Sequence, residues 1–185
     1  MFIDIHTHLP QYDEDELDGI IQRWESKKID YVVSAGTTIN DSIKSINLSK
    51  KYKGILPGIG LHPSDLKLNW KDDLLELKKL SNNNIVMISE IGLDYQESSP
   101  NKDIQIEAFE FQIQIAIEKR LPIVFHTRNA MDDTYKILKN FKFSYHPGAI
   151  HYFDGNYNHA KNLIDLGYKI SFAKTLYPKS IKFLA

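Results

Sequence analysis

Short apolar runs alternate with amphipathic stretches along the whole of this chain. The runs Phe2–Ile5, Asp30–Ser34, Gly54–Gly60, Ile85–Glu90, Leu121–His126, Gly148–Tyr152 and Lys169–Phe172 read as strands. Several are nearly continuous in Ile, Val and Leu, the pattern of parallel strands buried on both faces. Between them, apolar residues recur at the spacing of one helix face. The stripes are Leu17, Ile20, Ile21, Trp24; Ile39, Ile43, Ile46; Trp70, Leu74, Leu77; Ile106, Phe109, Ile113, Ala116; Met131, Tyr135, Leu138; and Ala160, Leu163, Ile164. They predict helices packed on a sheet. A βαβα alternation of this kind means an α/β fold with a parallel sheet, either doubly wound and open or closed into a (β/α) barrel. There is no internal repeat, low-complexity segment or composition shift, so residues 1–185 read as one domain.

Composition narrows the chemistry. Cysteine is absent, so disulfides and thiolate metal sites are excluded and any metal must take N and O ligands. With 23 basic against 24 acidic side chains and no block of like charge, bulk electrostatic capture of nucleic acid or an anionic membrane is not expected. No apolar run approaches membrane-spanning length, and no signal-like segment precedes the first strand, so the expected location is cytoplasmic. There is no Gly-x-Gly-x-x-Gly after the first strand, no Gly-Lys-Ser/Thr loop and no Gly-x-Ser-x-Gly elbow, which argues against dinucleotide, P-loop and serine-hydrolase chemistry.

The first strand carries a polar alternation. Asp4, His6 and His8 are two apart, and on a strand such side chains share a face. Two imidazoles converging from one strand can grip a divalent cation, with Asp4 one step below to support them. Other ionisable residues close later strand runs: Glu90 after Ile85-Val86-Met87-Ile88-Ser89, His126 after Leu121–Phe125, His151 after Gly148-Ala149-Ile150, with His62 just beyond Gly60. Carboxyl ends of parallel strands are where barrels and open α/β sheets build their sites. A carboxylate at Glu90, between a His6–His8 pair and a His126–His151 pair, can bridge two cations in the arrangement used for displacement at phosphate esters.

These motifs, in order, resemble the TatD family of metal-dependent deoxyribonucleases. The resemblance rests on Asp4-Ile5-His6-Thr7-His8, Gly60-Leu61-His62-Pro63, Ser89-Glu90-Ile91-Gly92-Leu93-Asp94-Tyr95, Phe109 with Gln112, Pro122–Ala130, and Gly148–Phe153. It implies a (β/α)8 TIM-type barrel of the metal-dependent hydrolase kind, incomplete here at about seven strands. It also implies two divalent cations (Mg²⁺, Mn²⁺ or Zn²⁺) on His6, His8, Glu90, His126 and His151. His62 and Arg128 would grip a substrate phosphate, Glu90, Arg128 and His62 would form the catalytic set, and Asp4 and Asp94 would support it. DNA would be the substrate, with no membrane partner. Ser89, Asn129 and Tyr152 depart mildly from the family pattern.

One departure weighs more. The family carries an Asp, in a Glu-Thr-Asp motif, at the end of an eighth strand as metal ligand and base. No such segment occurs up to Ala185, which follows a short helical stub led by Pro178. Such barrels typically need about 250 residues. Neither Asp94, which belongs to its own motif, nor Asp154, in a loop, is a substitute. Weak or absent hydrolysis by these 185 residues by themselves, activity on DNA ends in a polypeptide extended through a strand carrying that Asp, and open edges on the first and seventh strands are therefore expected. A metal-binding remnant without hydrolysis and a polymerase-and-histidinol-phosphatase-like phosphoesterase are the alternatives.

Overall fold

The structure, a computed structural model, describes residues 2–172. Seven strands, β1 (Phe2–Thr7), β2 (Ile29–Ser34), β3 (Ile55–Ile59), β4 (Met87–Asp94), β5 (Ile123–Arg128), β6 (Gly148–Ile150) and β7 (Lys169–Ile170), form one sheet in chain order. Every neighbouring pair is parallel. Six helices cross between them: α1 (Glu14–Ser26), α2 (Ile39–Lys51), α3 (Trp70–Leu80), α4 (Lys102–Lys119), α5 (Met131–Leu138) and α6 (Tyr157–Asp165). The sheet is so strongly curled that His6 on β1 stacks on His151 beyond β6, with ring centroids 3.9 Å apart. A sheet in that order, curled that far, is a partial (β/α) barrel. The helical stub expected from Pro178 lies outside the described residues.

Four of the six helices start on a side-chain cap, whereas α3 and α5, behind Asn69 and Ala130, have none. Asp13 and Glu16 form a reciprocal capping box on α1, and Asn156 with His159 forms one on α6. Thr38 accepts from the Asp41 N–H at the start of α2, and Asn101 from the Asp103 N–H at the start of α4. The apolar stripes then bury against the sheet, α4 most completely: Phe109, Ile113 and Ala116 are fully enclosed. Two stripe positions differ from expectation. Ile43 and Ile164 stand at the solvent side of their helices and are exposed.

Strand ends also differ from the sequence reading. β4 does not stop at Glu90 but runs on to Asp94, and β5 runs past His126 to Arg128. The apolar runs break there because an ionisable residue, Glu90 or His126, interrupts each strand, while the strand pairing continues beyond it. Conversely, β1 ends at Thr7, so His8 stands just beyond it, as the cap of a short 3-10 turn, Leu9–Gln11. Among the described residues β1 pairs only with β2, and β7 only with β6. Phe2, Ile3 and Ile5 on the free side of the sheet are correspondingly exposed.

Two local devices position the site. Pairing register shifts between Asp4 and Thr7 in β1 and between Ile88 and Ile91 in β4, so the irregularities bracket His6 and Glu90. An irregularity of this type re-aims side chains locally. Gly92, two residues past Glu90, has φ +135°, and a Cβ there would collide with the His126 carbonyl. Only glycine lets β4 approach the strand that carries His126 this closely.

Candidate metal centre

Glu90 is the hub. It is buried, and its two carboxylate oxygens face different partners: Oε2 lies 3.4 Å from His6 Nε2 and 3.5 Å from His8 Nε2, while Oε1 lies 3.6 Å from His126 Nδ1. Two groups of donor atoms, each with its members within 4.8 Å of one another, share this carboxylate. One is His6, Glu90 and His151; the other is His62, Glu90 and His126. The histidines therefore pair differently from the sequence expectation. His151 joins His6 across the curled sheet rather than His126, and His126 joins His62, with ring centroids 4.6 Å apart. His8 stays at the centre through its contacts with Glu90 and with His6, whose Nε2 is 3.2 Å away. No aspartate enters either group among the described residues.

A ring of supporting bonds fixes these side chains. Asp94 Oδ2 is 3.1 Å from His126 Nε2, leaving Nδ1 of the same ring for Glu90. Ser89 Oγ sits 3.4 Å from His6 Nδ1. Ser64 holds His62 Nδ1, through its hydroxyl at 2.7 Å and its N–H at 3.2 Å, leaving Nε2 free. Asp4 touches neither imidazole; its carboxylate accepts from the His6 backbone N–H at 3.1 Å and so braces the strand rather than a ring. Arg128 is half-exposed, with Nε 3.6 Å from Asp94 Oδ2. It lines, with His62, Glu90, His126, Thr127, His151, Tyr152 and Asp154, a cavity of about 470 Å³.

Two buried glutamines of α4 clamp the backbone behind the site. Gln112 accepts from the Leu61 N–H at 2.7 Å and donates to the Leu61 carbonyl at 3.2 Å, one residue before His62. Gln105 accepts from the Asp94 N–H at 2.7 Å and donates to the Asp94 carbonyl at 2.8 Å. Gln112 is among the residues that carry the family resemblance, whereas Gln105 does not stand out in the sequence. The available signal was a pair of amides seven apart, two helical turns, on the otherwise apolar buried face of α4.

Electrostatics suit a cation. Burial pushes the His62 and His151 imidazoles down to about 4, with neighbouring histidines adding to the effect and Glu90 opposing it. Burial and His6 likewise lower His8. Burial opposes ionisation of Glu90, but hydrogen bonds from His126 and His6 and the nearby imidazoles outweigh it and hold the carboxyl well below its ordinary range. At His8, His62 and His151 the site thus offers neutral imidazole nitrogens near an ionised carboxylate, a donor set for divalent transition metals and the harder divalent cations alike.

Comparison with known proteins agrees with this fold and with a metal-dependent hydrolase family. A family model described as TatD related DNase matches residues 3–183, and the chain belongs to that family. It is 34% identical over 185 residues to the uncharacterized metal-dependent hydrolase YabD of Bacillus subtilis, covering 98% of this chain and 72% of that one. It is also 34% identical over 184 residues to a metal-dependent hydrolase of Buchnera aphidicola, covering 91% and 68%. The crystal structure of YjjV, a TatD homolog from Escherichia coli, superposes with a TM-score of 0.85 at 25% identity, covering 97% of this chain and 71% of that one. The chain spans about seven tenths of the length of these relatives. It is a member of a metal-dependent hydrolase family with a TIM-barrel fold. No helix of the described residues is long and apolar enough to cross a membrane.

Proposed function

We propose that this protein hydrolyses phosphodiester bonds of DNA, acting on strand ends with two divalent cations held on either side of Glu90. The observation that carries the reading is the division of Glu90: Oε2 toward His6 and His8, Oε1 toward His126. A carboxylate so placed can bridge two cations a few Å apart, the spacing suited to in-line displacement at a phosphate ester. His6, His8 and His151 would hold one cation and His126, with His62 beside it, the other. Divalent cations held by these residues would supply Lewis-acid polarisation of the scissile group and a water acidic enough to act as nucleophile near neutral pH.

The chain's own residues supply the rest. Arg128 lines the cavity beside His62 and can donate paired hydrogen bonds to a phosphate oxygen pair. Asp94 restrains both Arg128 and His126, so phosphate grip and ligand orientation are tied to one carboxylate. The cavity continues, through shared Thr127 and Asp154, into a second of about 460 Å³ lined by Tyr95 and by charges of both signs, Lys102 and Lys136 with Asp132 and Asp133. A trough of that extent suits a polymer better than a compact ester. The sequence balances 23 basic against 24 acidic side chains with no block of like charge, so the substrate would be held at this trough rather than by bulk charge.

A second reading is metal binding without hydrolysis, favoured by the lack of any carboxylate besides Glu90 in the two groups among the described residues. Release of nucleotides from single-stranded DNA with Mg²⁺ or Mn²⁺, measured beside metal titration, separates the two. Metal-dependent release lost in Glu90→Gln supports the nuclease; tight metal binding without release supports the second reading. The expected setting is cytoplasmic.

A further inference from the structure

Tyr152 stands immediately after His151 and on the wall of the metal cavity. Its side chain is 40% exposed, although Ile150 and Phe153 on either side of the His151–Tyr152 pair are buried. Its ring centroid lies 6.1 Å from that of His151, tilted, and its hydroxyl makes no hydrogen bond among the described residues. The residue also holds φ +53°, a left-handed conformation that a bulky aromatic adopts at a cost. At that turn the Tyr152 ring borders the cavity it shares with His151 and Arg128. Tyr95, the other aromatic of the trough, differs: Lys102 covers its ring at 4.1 Å and its hydroxyl donates to Asp133 at 3.2 Å. Tyr152 is the uncommitted ring.

An exposed aromatic ring on the wall of the cavity that also holds Arg128 and His62 fits a planar heterocycle attached to a phosphate. From this geometry we infer that Tyr152 is a stacking platform for a nucleobase of the substrate, next to the phosphate gripped at Arg128 and His62. The inference rests on the phosphodiester reading for its substrate, and it adds a base-binding subsite of its own. Stacking is tolerant of base identity because every base offers a π-face, so the subsite selects nucleotides over plain sugar phosphates without reading sequence.

The test is calorimetric titration of the metal-loaded protein with thymidine 5′-monophosphate and, separately, with 2-deoxyribose 5-phosphate, which lacks the base. Wild type should bind the nucleotide about tenfold more tightly, the scale of one base stacked on one aromatic ring. Tyr152→Phe should keep that preference. Tyr152→Asn, which tolerates the left-handed backbone and so guards against loss of the fold, should abolish it while binding the sugar phosphate as wild type does. An undiminished preference in Tyr152→Asn, or a wild type that does not prefer the nucleotide or binds neither probe, overturns the inference. Cleavage of single-stranded DNA by wild type is scored alongside. An inactive protein that shows the preference fails the functional reading and leaves the subsite standing; an active protein without it does the reverse.

Discussion

His126 gives its Nε2 to Asp94, 3.1 Å from Oδ2, and so turns Nδ1 toward Glu90. A carboxylate that holds the far nitrogen of a ligating imidazole fixes its orientation and raises its basicity. Asp94→Asn should therefore lower affinity for the cation at the His126 side by about 10–100-fold with little loss at the His6 side. Calorimetric titration with Mn²⁺ reads both. Equal losses at the two positions would mean that Asp94 acts on the whole barrel instead.

The pH behaviour of the metal-free protein follows from burial. His62 and His151 are held down at about 4, against 6.5 in the unfolded chain. Their ring resonances should titrate near pH 4. Between about 6.5 and 4 the unfolded chain binds protons that the folded one refuses, so stability should fall as pH drops through that window. Above 6.5 these two groups add no pH dependence. A midpoint near 6.5 for either ring in an NMR titration would contradict the account.

Gly92 should not tolerate a side chain. Gly92→Ala would place a methyl group against the His126 carbonyl and strain a positive φ. We expect a loss of about 2 kcal/mol or more in urea unfolding, with weakened metal binding in whatever folds. A neutral substitution would show that β4 and β5 can separate without cost.

Gln112→Leu should also destabilise, by about 1–3 kcal/mol, because the buried Leu61 N–H loses its acceptor. The same change frees the backbone next to His62, so cation affinity should fall with stability. Preserved stability in thermal unfolding would count against the clamp.

Much of this molecule was legible in its sequence. The strands and helices follow from runs and stripes whose period is local, and their alternation already demanded a parallel sheet. His6, His8, Glu90, His126 and His151 stood out because ionisable side chains on apolar strands are expensive without a partner. What could not be read was non-local. Which histidine meets which depends on how far the sheet curls, and the curl brings His151 to His6 and His62 to His126. The ends of β4 and β5 are not legible because an ionisable residue within a strand looks, in sequence, like the strand's end. Gln105 was hidden for the opposite reason: a polar residue inside an amphipathic helix resembles a surface position until its partners on another element are known.

The bridging role of Glu90 is the centre of the account, and calorimetric titration with Mn²⁺ tests it most directly. Wild type should take up two equivalents, His126→Ala should weaken mainly one of them, and Glu90→Gln should weaken both by at least about tenfold. Unchanged stoichiometry and affinities in Glu90→Gln, or a single equivalent in wild type, would contradict it.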